Sequence, residues 1–248
     1  MSLASGIGSY KQHNLISYAL GMSVTMELLL HMSETVEKIF INSNTEENEN
    51  TANLRELCVQ HNIPIEKNDK AFNILSRKGN CFVIAAFRKF EKPLNQESHL
   101  LLVNPADVGN LGSIVRTAIG FGIHNIAFIR PAVDIFDPKT IRASMGAVFH
   151  INFEYFDDCD IYRQRFPTHE FYAFMLDAQL SIQIAEFSEP YTLVFGSEAI
   201  GLPKEYSDFC KTVVIPHSSK IESLNVAVAA SIAMYVATAP KKHKQRGC

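Results

Sequence analysis

The fold is decided by residues 100–130, which read LLLVNPADVGNLGSIVRTAIGFGIHNIAFIR. An apolar run at 100–104 leads through a glycine-rich turn into a helical pattern at 111–121, and a second apolar run follows at 126–130. Short apolar runs on either side of a helix of this length are typical of a strand–helix–strand unit. The stretch therefore predicts two strands of one sheet joined by a crossover helix.

The same alternation continues towards the carboxyl end of the chain. Strands are predicted at 151–156, 171–176, 192–195 and 212–216, and helices at 138–147, 158–166 and 223–238. The predicted strands are rich in Val, Ile, Leu and Phe without alternation, which is typical of a parallel sheet buried on both faces. The sequence thus predicts an α/β fold with an open parallel sheet.

A smaller α/β unit is predicted before this sheet. It has helices at 24–31, 52–61 and 70–77, strands at 36–41, 63–65 and 82–87, and a polar surface loop at 42–51. Residues 89–98 contain Pro93 and show no periodicity, which indicates a boundary. We therefore expect two domains, at residues 1–92 and 98–248.

Composition excludes several classes of protein. Hydrophobic residues make up 47% of the 248 residues and charged residues 20%, which excludes a largely disordered chain. No apolar stretch approaches the roughly 18 to 20 residues of a membrane span, and residues 1–11 lack a secretion pattern, so we expect a cytoplasmic protein without a membrane partner. The five cysteines lack a short Cys-x-x-Cys spacing and the nine histidines are scattered, so we expect neither disulfides nor a metal site.

The net charge of −3 gives no global signature of a nucleic-acid-binding protein, so any such binding must use local patches. A basic tail at 241–246 is interpreted as a solvated terminus. Another basic group brackets the predicted strand 82–87 and fits either a solvated face or contact with nucleic-acid phosphates; it comprises Arg77, Lys78, Arg88, Lys89 and, further on, Lys92.

Three polar loops follow predicted strands, where ligands bind in open parallel sheets. In the first, Gly109 and Gly112 suggest a turn that presents backbone N–H groups to an anion, although a plain turn with Arg116 in a surface salt bridge fits as well. In the second, Gly196 and Gly201 let the backbone bend around a ligand while Glu198 faces it, although an exposed acid on a simple turn is the alternative.

The third loop runs from 215 to 225 into the last predicted helix. Ser223 could be no more than the N-cap of that helix. Asn225 is harder to explain, because it is expected inside the helix, where Asn is a poor helix former and has no capping role.

The three loops together read Asn110-Leu-Gly112-Ser-Ile-Val-Arg116-Thr-Ala118, then Leu193-Val-Phe-Gly196-Ser-Glu198-Ala-Ile-Gly201-Leu202, then Ile215-Pro216 followed by Ser223-Leu224-Asn225. In order and spacing they resemble the three signature motifs of the SpoU/TrmH branch of the SPOUT RNA methyltransferases. The resemblance covers about residues 98–240. It implies a deep trefoil knot that holds S-adenosylmethionine, whereas connection rules alone predict an unknotted sheet. The first domain resembles, more weakly, a small substrate-binding domain.

Carried over residue by residue, the resemblance implies a cofactor site at Gly196, Ile215 and Leu224. It implies a catalytic cluster of Asn110, Arg116, Glu198, Ser223 and Asn225. The family usually has Met after the proline of the third motif and a nearby Gly, where this chain has His217 and Ser219.

The activity implied is transfer of a methyl group from S-adenosylmethionine to a ribose 2′-hydroxyl of RNA by a homodimer, with ribosomal RNA favoured over transfer RNA and no metal required. A catalytically inert RNA-binding protein of the same fold is the alternative. A nucleotide-dependent oxidoreductase is disfavoured, because the chain has no Gly-x-Gly-x-x-Gly followed by a ribose-binding acid.

Overall fold

The computed structural model describes residues 8–76 and 81–239, which form two β-sheets. The first sheet and its helices comprise, in chain order, β1 (Ile16–Leu20), α1 (Met22–Met32), β2 (Val36–Ile41), α2 (Glu49–Gln60), β3 (Ile65–Lys67), α3 (Asp69–Leu75) and β4 (Val83–Arg88). The strand order is β1-β4-β2-β3. β4 runs antiparallel to both β1 and β2, and β2 pairs with β3 in parallel.

Two features of this first unit differ from the sequence predictions. Strand β1 was not predicted, and the polar run 42–51 is not all loop because α2 begins at Glu49. Asn48 Oδ1 accepts a hydrogen bond from the Thr51 N–H at 3.1 Å, and Thr51 Oγ1 accepts one from the Asn48 N–H at 2.7 Å. This reciprocal cap satisfies two backbone donors and starts the helix within the polar run.

The second sheet has seven strands, and every pair in it is parallel, which confirms the predicted α/β class. Its elements are β5 (His99–Val103), α4 (Val108–Gly120), β6 (Asn125–Ile129), α5 (Pro138–Ala143), β7 (Asn152–Phe156), α6 (Cys159–Arg165), β8 (Glu170–Phe174), β9 (Leu180–Ser181), β10 (Tyr191–Phe195), β11 (Lys211–Val214) and α7 (Val226–Thr238). The helix predicted at 138–147 ends early, because Met145 and Gly146 adopt positive φ angles of 55° and 88°. A 3-10 helix, Ala147–His150, follows.

The strand order β7-β6-β5-β10-β8-β11-β9 places the ligand position expected of an open sheet near its centre. From β5 the chain proceeds to β6 and β7 on one side and then returns to β8 on the other side of β10. The carboxyl ends of β5 and β10 therefore flank the point where the winding direction reverses, which is where open α/β sheets bind ligands.

The two sheets share one hydrophobic core. Phe87 of β4 packs edge-on against Phe136 and Phe149 of the second unit, with ring centroids 5.6 Å apart in both pairs. Residues 89–98 do not only connect the two sheets but also pair with the second one. The Phe153 N–H of β7 donates a hydrogen bond to the Lys92 carbonyl at 2.7 Å. The domain boundary in this segment stays a prediction.

Two further sequence predictions concern the described ranges. In residues 8–76 and 81–239, no helix combines the length and apolar character that crossing a bilayer requires. Cys58, Cys81, Cys159 and Cys210 are free thiols, and Cys248 lies outside the described residues. Burial raises the pKa of the Cys58 and Cys159 thiols to about 11, as expected of packing residues rather than nucleophiles.

Candidate active site

The first loop places Asn110 in the first turn of α4. Asp107 caps this helix by accepting a hydrogen bond from the Asn110 N–H at 2.7 Å. Gly109 and Gly112 consequently lie inside the helix and not in a turn that precedes it, so the predicted glycine turn is wrong. Gly112 serves packing instead, because a Cβ there would lie 2.5 Å from the Ala143 Cβ on α5.

The second loop folds back on itself immediately after β10. The Gly201 N–H donates to the Ser197 carbonyl at 2.9 Å, and Gly201 has a φ of 74°. A Cβ on Gly196 would lie 2.0 Å from the Gly201 carbonyl carbon, far inside van der Waals contact. Glycine at 196 is therefore required for this closure, which leaves Glu198 exposed at the tip of the loop.

The third loop ends at Asn225, which precedes α7 rather than lying inside it. Asn225 Oδ1 accepts hydrogen bonds from the backbone N–H groups of Ala227 at 2.9 Å and Val228 at 3.3 Å. Asn225 is thus the N-cap, and both sequence interpretations, the capping role for Ser223 and the absence of one for Asn225, are wrong.

A chain of hydrogen bonds joins the three loops. The Asn225 side-chain amide donates to Asn110 Oδ1 at 3.0 Å, and the Asn110 amide donates to Glu198 Oε1 at 3.1 Å. The second carboxylate oxygen, Glu198 Oε2, accepts from the Ala106 N–H at 3.4 Å. Three of the predicted catalytic residues therefore meet at one place, although they are far apart in sequence.

A cavity of about 480 Å³ opens beside this chain of hydrogen bonds. Its wall includes the predicted catalytic residues Asn110, Glu198, Ser223 and Asn225 and the predicted cofactor residues Gly196, Ile215 and Leu224. His217, at a position where the chain departs from the family pattern, also lines it, and its Nδ1–H donates to the Ile215 carbonyl at 2.9 Å.

The apolar part of the wall was missed by the sequence analysis. Phe174 at the end of β8 stacks on Phe195 at the end of β10, with centroids 4.6 Å apart and planes 7° apart. Met175 and Leu176 continue the wall beyond β8. The signal that could have found these residues is their position at the carboxyl ends of two predicted strands, but its use requires knowing that β8 and β10 are neighbours.

Arg116 is the predicted catalytic residue that lies outside this cavity wall. It is exposed on α4, six residues beyond Asn110, which is about 9 Å along a helix. Within residues 8–76 and 81–239 it makes no hydrogen bond or ion pair, so the surface salt bridge weighed for it in the sequence analysis is absent from this part of the chain.

The basic residues predicted to bind RNA occupy different environments. Arg77 and Lys78 lie outside the described residues. Arg88 is exposed and paired with Glu37 at 2.7 Å. Lys89 is held in an ion pair with Asp134, where the two side chains are only 15% and 12% exposed, and it also donates to the Gln12 carbonyl at 2.8 Å. Lys89 therefore faces the junction of the two units rather than an open edge.

Comparison with known proteins gives consistent matches. The family model described as the SpoU rRNA Methylase family matches residues 97–235. The chain is 30% identical over 146 residues to the 23S rRNA (uridine(2479)-2′-O)-methyltransferase of Streptomyces viridochromogenes, a match that covers 56% of this chain and 51% of the relative. It is 33% identical over 150 residues to the 23S rRNA (guanosine-2′-O-)-methyltransferase RlmB of Acinetobacter baylyi, covering 58% and 60%.

The chain thus spans between half and three fifths of the length of these curated relatives. A solved structure matches more of it. The S-adenosylmethionine-bound rRNA methyltransferase of Sinorhizobium meliloti has a TM-score of 0.76 and 26% identity, and the match covers 90% of this chain and 86% of that one. The likeness therefore includes the first unit as well as the parallel sheet.

Proposed function

Because the chain belongs to the SpoU rRNA methylase family, we propose that it transfers a methyl group from S-adenosylmethionine to a ribose 2′-hydroxyl of RNA, with ribosomal RNA as the substrate class. The observation that carries this proposal is the hydrogen-bonded chain Asn225–Asn110–Glu198 at the mouth of the cavity. Binding of RNA alone does not require three separate loops to be hydrogen-bonded to one another around a cavity.

The cavity lining fits S-adenosylmethionine in its chemistry. The flat pair of Phe174 and Phe195 offers an apolar surface to an adenine ring, and the backbone polar groups of Gly196, Ile215 and Leu224 offer hydrogen bonds. A volume of about 480 Å³ lies within the usual range for cofactor sites. When bound, the cofactor supplies a methyl group attached to a positively charged sulfur.

The residues of this chain position the acceptor. Arg116 has no partner among the described residues, so its guanidinium is available to bind an RNA phosphate and to polarise the attacking hydroxyl. An arginine is a poor base, because its pKa lies above about 12, so we assign it no proton transfer. Asn110, Glu198 and Asn225 hold the loops together, and Ser223 lies on the wall beside them. Positioning of this kind lowers the entropy cost of the reaction.

The homodimer implied by the family resemblance is supported by an exposed face formed by α4 and α7. Val228 and Tyr235 are large apolar residues exposed on α7, at 48% and 64%. Phe121 beside α4 packs on Tyr235, with centroids 5.9 Å apart. We propose that a second copy of the chain covers this face. Each copy would then bring its Arg116 close to the cavity of the other copy. Sedimentation of Tyr235→Glu should show a monomer where the wild type sediments as a dimer; dimers in both would contradict the proposal.

The trefoil knot implied by the resemblance is also part of the proposal. It is supported by the position of β11, which lies between β8 and β9 although it follows both in sequence, and by the return of α7 to pack on α4. A crystal structure of the protein would test it, by showing whether the chain at residues 196–239 passes through a loop. The domain at 1–92 is proposed to supply RNA affinity, with Arg88 as an exposed basic residue at the end of β4. A cytoplasmic location stays a prediction.

The decisive experiment measures cofactor binding and methyl transfer separately. Isothermal calorimetry with S-adenosylmethionine should show binding, and a tritiated cofactor should label ribosomal RNA at ribose 2′-oxygens. Binding of RNA without any binding of the cofactor at millimolar concentration would support the inert alternative and end the enzyme proposal.

A further inference from the structure

Away from the candidate active site, Glu27, His31 and His150 form a compact cluster. Glu27 and His31 lie one turn apart on α1 of the first unit, and His150 ends the 3-10 helix that precedes β7 of the second. One ligand atom from each residue lies within 4.8 Å of the others. The cluster was missed by the sequence analysis, because His31 and His150 are distant in sequence and meet only where the two units pack together.

The backbone brings the three side chains together through a close approach at Gly146. A Cβ at this position would lie 2.8 Å from the Glu27 Cβ, so only glycine lets α1 approach the start of the 3-10 helix this closely. Gly146 also has a φ of 88°, which favours glycine. Glu27 is thus held against the segment that carries His150.

The nitrogen atoms converge on one oxygen. The Nε2 atom of His150 lies 2.9 Å from Glu27 Oε2, and the Nε2 atom of His31 lies 3.6 Å from the same oxygen. In a tetrahedral zinc site with bonds of about 2.0 to 2.1 Å, neighbouring ligand atoms are about 3.4 Å apart. The two observed separations lie on either side of this value, and all three ligand atoms lie within 4.8 Å of one another.

The three side chains supply two imidazole nitrogens and one carboxylate oxygen, and the imidazole ring centroids are 4.0 Å apart. Two imidazoles and a carboxylate form a donor set well suited to a divalent transition metal of the zinc type. The side chains are 29% to 43% exposed, which gives an ion access from solvent and leaves room for water as a fourth ligand.

We propose that Glu27, His31 and His150 bind one divalent transition-metal ion of the zinc type, which fastens the first unit to the second. This proposal is independent of the methyl transfer, because none of the three residues lines the candidate active site. An ion that binds only the folded protein stabilises it by mass action.

The test uses the full, untagged chain after removal of metals with a chelator. Titration with Co²⁺ should give the intense visible absorption of a tetrahedral complex at one equivalent per chain, and Zn²⁺ should displace it. At a hundredfold excess over its Kd, Zn²⁺ should raise the Tm by roughly 5 to 10 °C. The variants His31→Ala and His150→Ala should each abolish the absorption and the Tm increase, whereas His61→Ala, at an exposed histidine of α2's C-terminus, should retain both.

X-ray absorption at the zinc edge of the wild-type protein gives a readout that needs no variant. We expect about two imidazole nitrogens together with oxygen ligands. Failure to bind one equivalent, undiminished binding by His150→Ala, or a coordination sphere dominated by sulfur would each overturn the proposal.

Discussion

The side-chain amide of Asn225 donates a hydrogen bond to Asn110 Oδ1 at 3.0 Å, across 115 positions of sequence. The carboxamide oxygen of the same Asn225 caps α7. One side chain therefore fixes both the start of the last helix and the orientation of Asn110, which in turn donates to Glu198.

These two roles of Asn225 are separable by mutation. Asn225→Asp keeps an oxygen that caps the helix but loses the amide donor to Asn110, so we expect a nearly unchanged Tm and at least about a tenfold loss of methyl transfer. Asn225→Ala should lose activity and also about 1 kcal/mol of stability. Thermal unfolding together with methyl-transfer rates checks this, and full activity of Asn225→Asp would show that the Asn110 contact is dispensable.

Arg116 is expected to act in catalysis rather than in cofactor binding, because it lies outside the cavity wall. Arg116→Ala should retain S-adenosylmethionine affinity within a few-fold while methyl transfer falls by about a hundredfold or more. Arg116→Lys should recover part of the rate, since it keeps the charge but loses the planar pair of donors. Calorimetry and single-turnover rates distinguish the two effects, and wild-type turnover in Arg116→Ala would refute the assignment.

Gly196→Ala should open the second loop, because the added Cβ would lie 2.0 Å from the Gly201 carbonyl carbon. We expect cofactor binding to fall below detection in calorimetry while the circular dichroism spectrum stays that of a folded α/β protein. Gly120→Ala is the matched control, since a Cβ at Gly120 meets no atom within 4 Å, and it should bind the cofactor normally. Normal binding by Gly196→Ala would mean that the loop adapts.

Lys89 and its neighbour Arg88 should differ in what their loss changes. Removal of Lys89 leaves Asp134 largely buried without its cation, so Lys89→Ala should cost about 3 kcal/mol of unfolding free energy. Arg88→Ala should leave stability almost unchanged and lower the salt dependence of RNA binding by about 0.7 to 0.9 per lost phosphate contact. Urea unfolding and salt titrations of RNA affinity check both, and an unchanged salt slope in Arg88→Ala would remove Arg88 from the RNA site.

His99 should make the fold sensitive to mild acid. Burial, and next the nearby His169, lower the pKa of His99 to about 3. In the unfolded chain this histidine takes up a proton near pH 6.5, whereas in the folded chain it does so only near pH 3. His99 therefore does not lower the free energy of unfolding above pH 6.5, and it lowers it progressively as the pH falls towards 3. Unfolding free energy should therefore drop by about 1.4 kcal/mol per pH unit across this window from His99 alone. Urea unfolding of wild type and His99→Gln at several pH values measures the slope, which should be shallower in the variant.

Much of the parallel sheet was predictable because its signals are local. The apolar run at 100–104 predicted β5 to within one residue of its observed bounds, since a strand buried on both faces needs consecutive apolar side chains. Helix starts were less accurate. The cap at Asn48 lies inside a polar run, and Asn225 was placed inside a helix that begins one residue later.

The sequence by itself determined the α/β class, the loops that carry the site and the family motifs, because strand and turn preferences depend on near neighbours in the chain. Only the tertiary structure decided that Phe174 stacks on Phe195, that Lys89 is held by Asp134, and that His31 meets His150. Each of these pairs joins separate elements, and their distance depends on strand order and on how the two units pack. Those choices are set by burial summed over the whole core, which no short stretch of sequence contains.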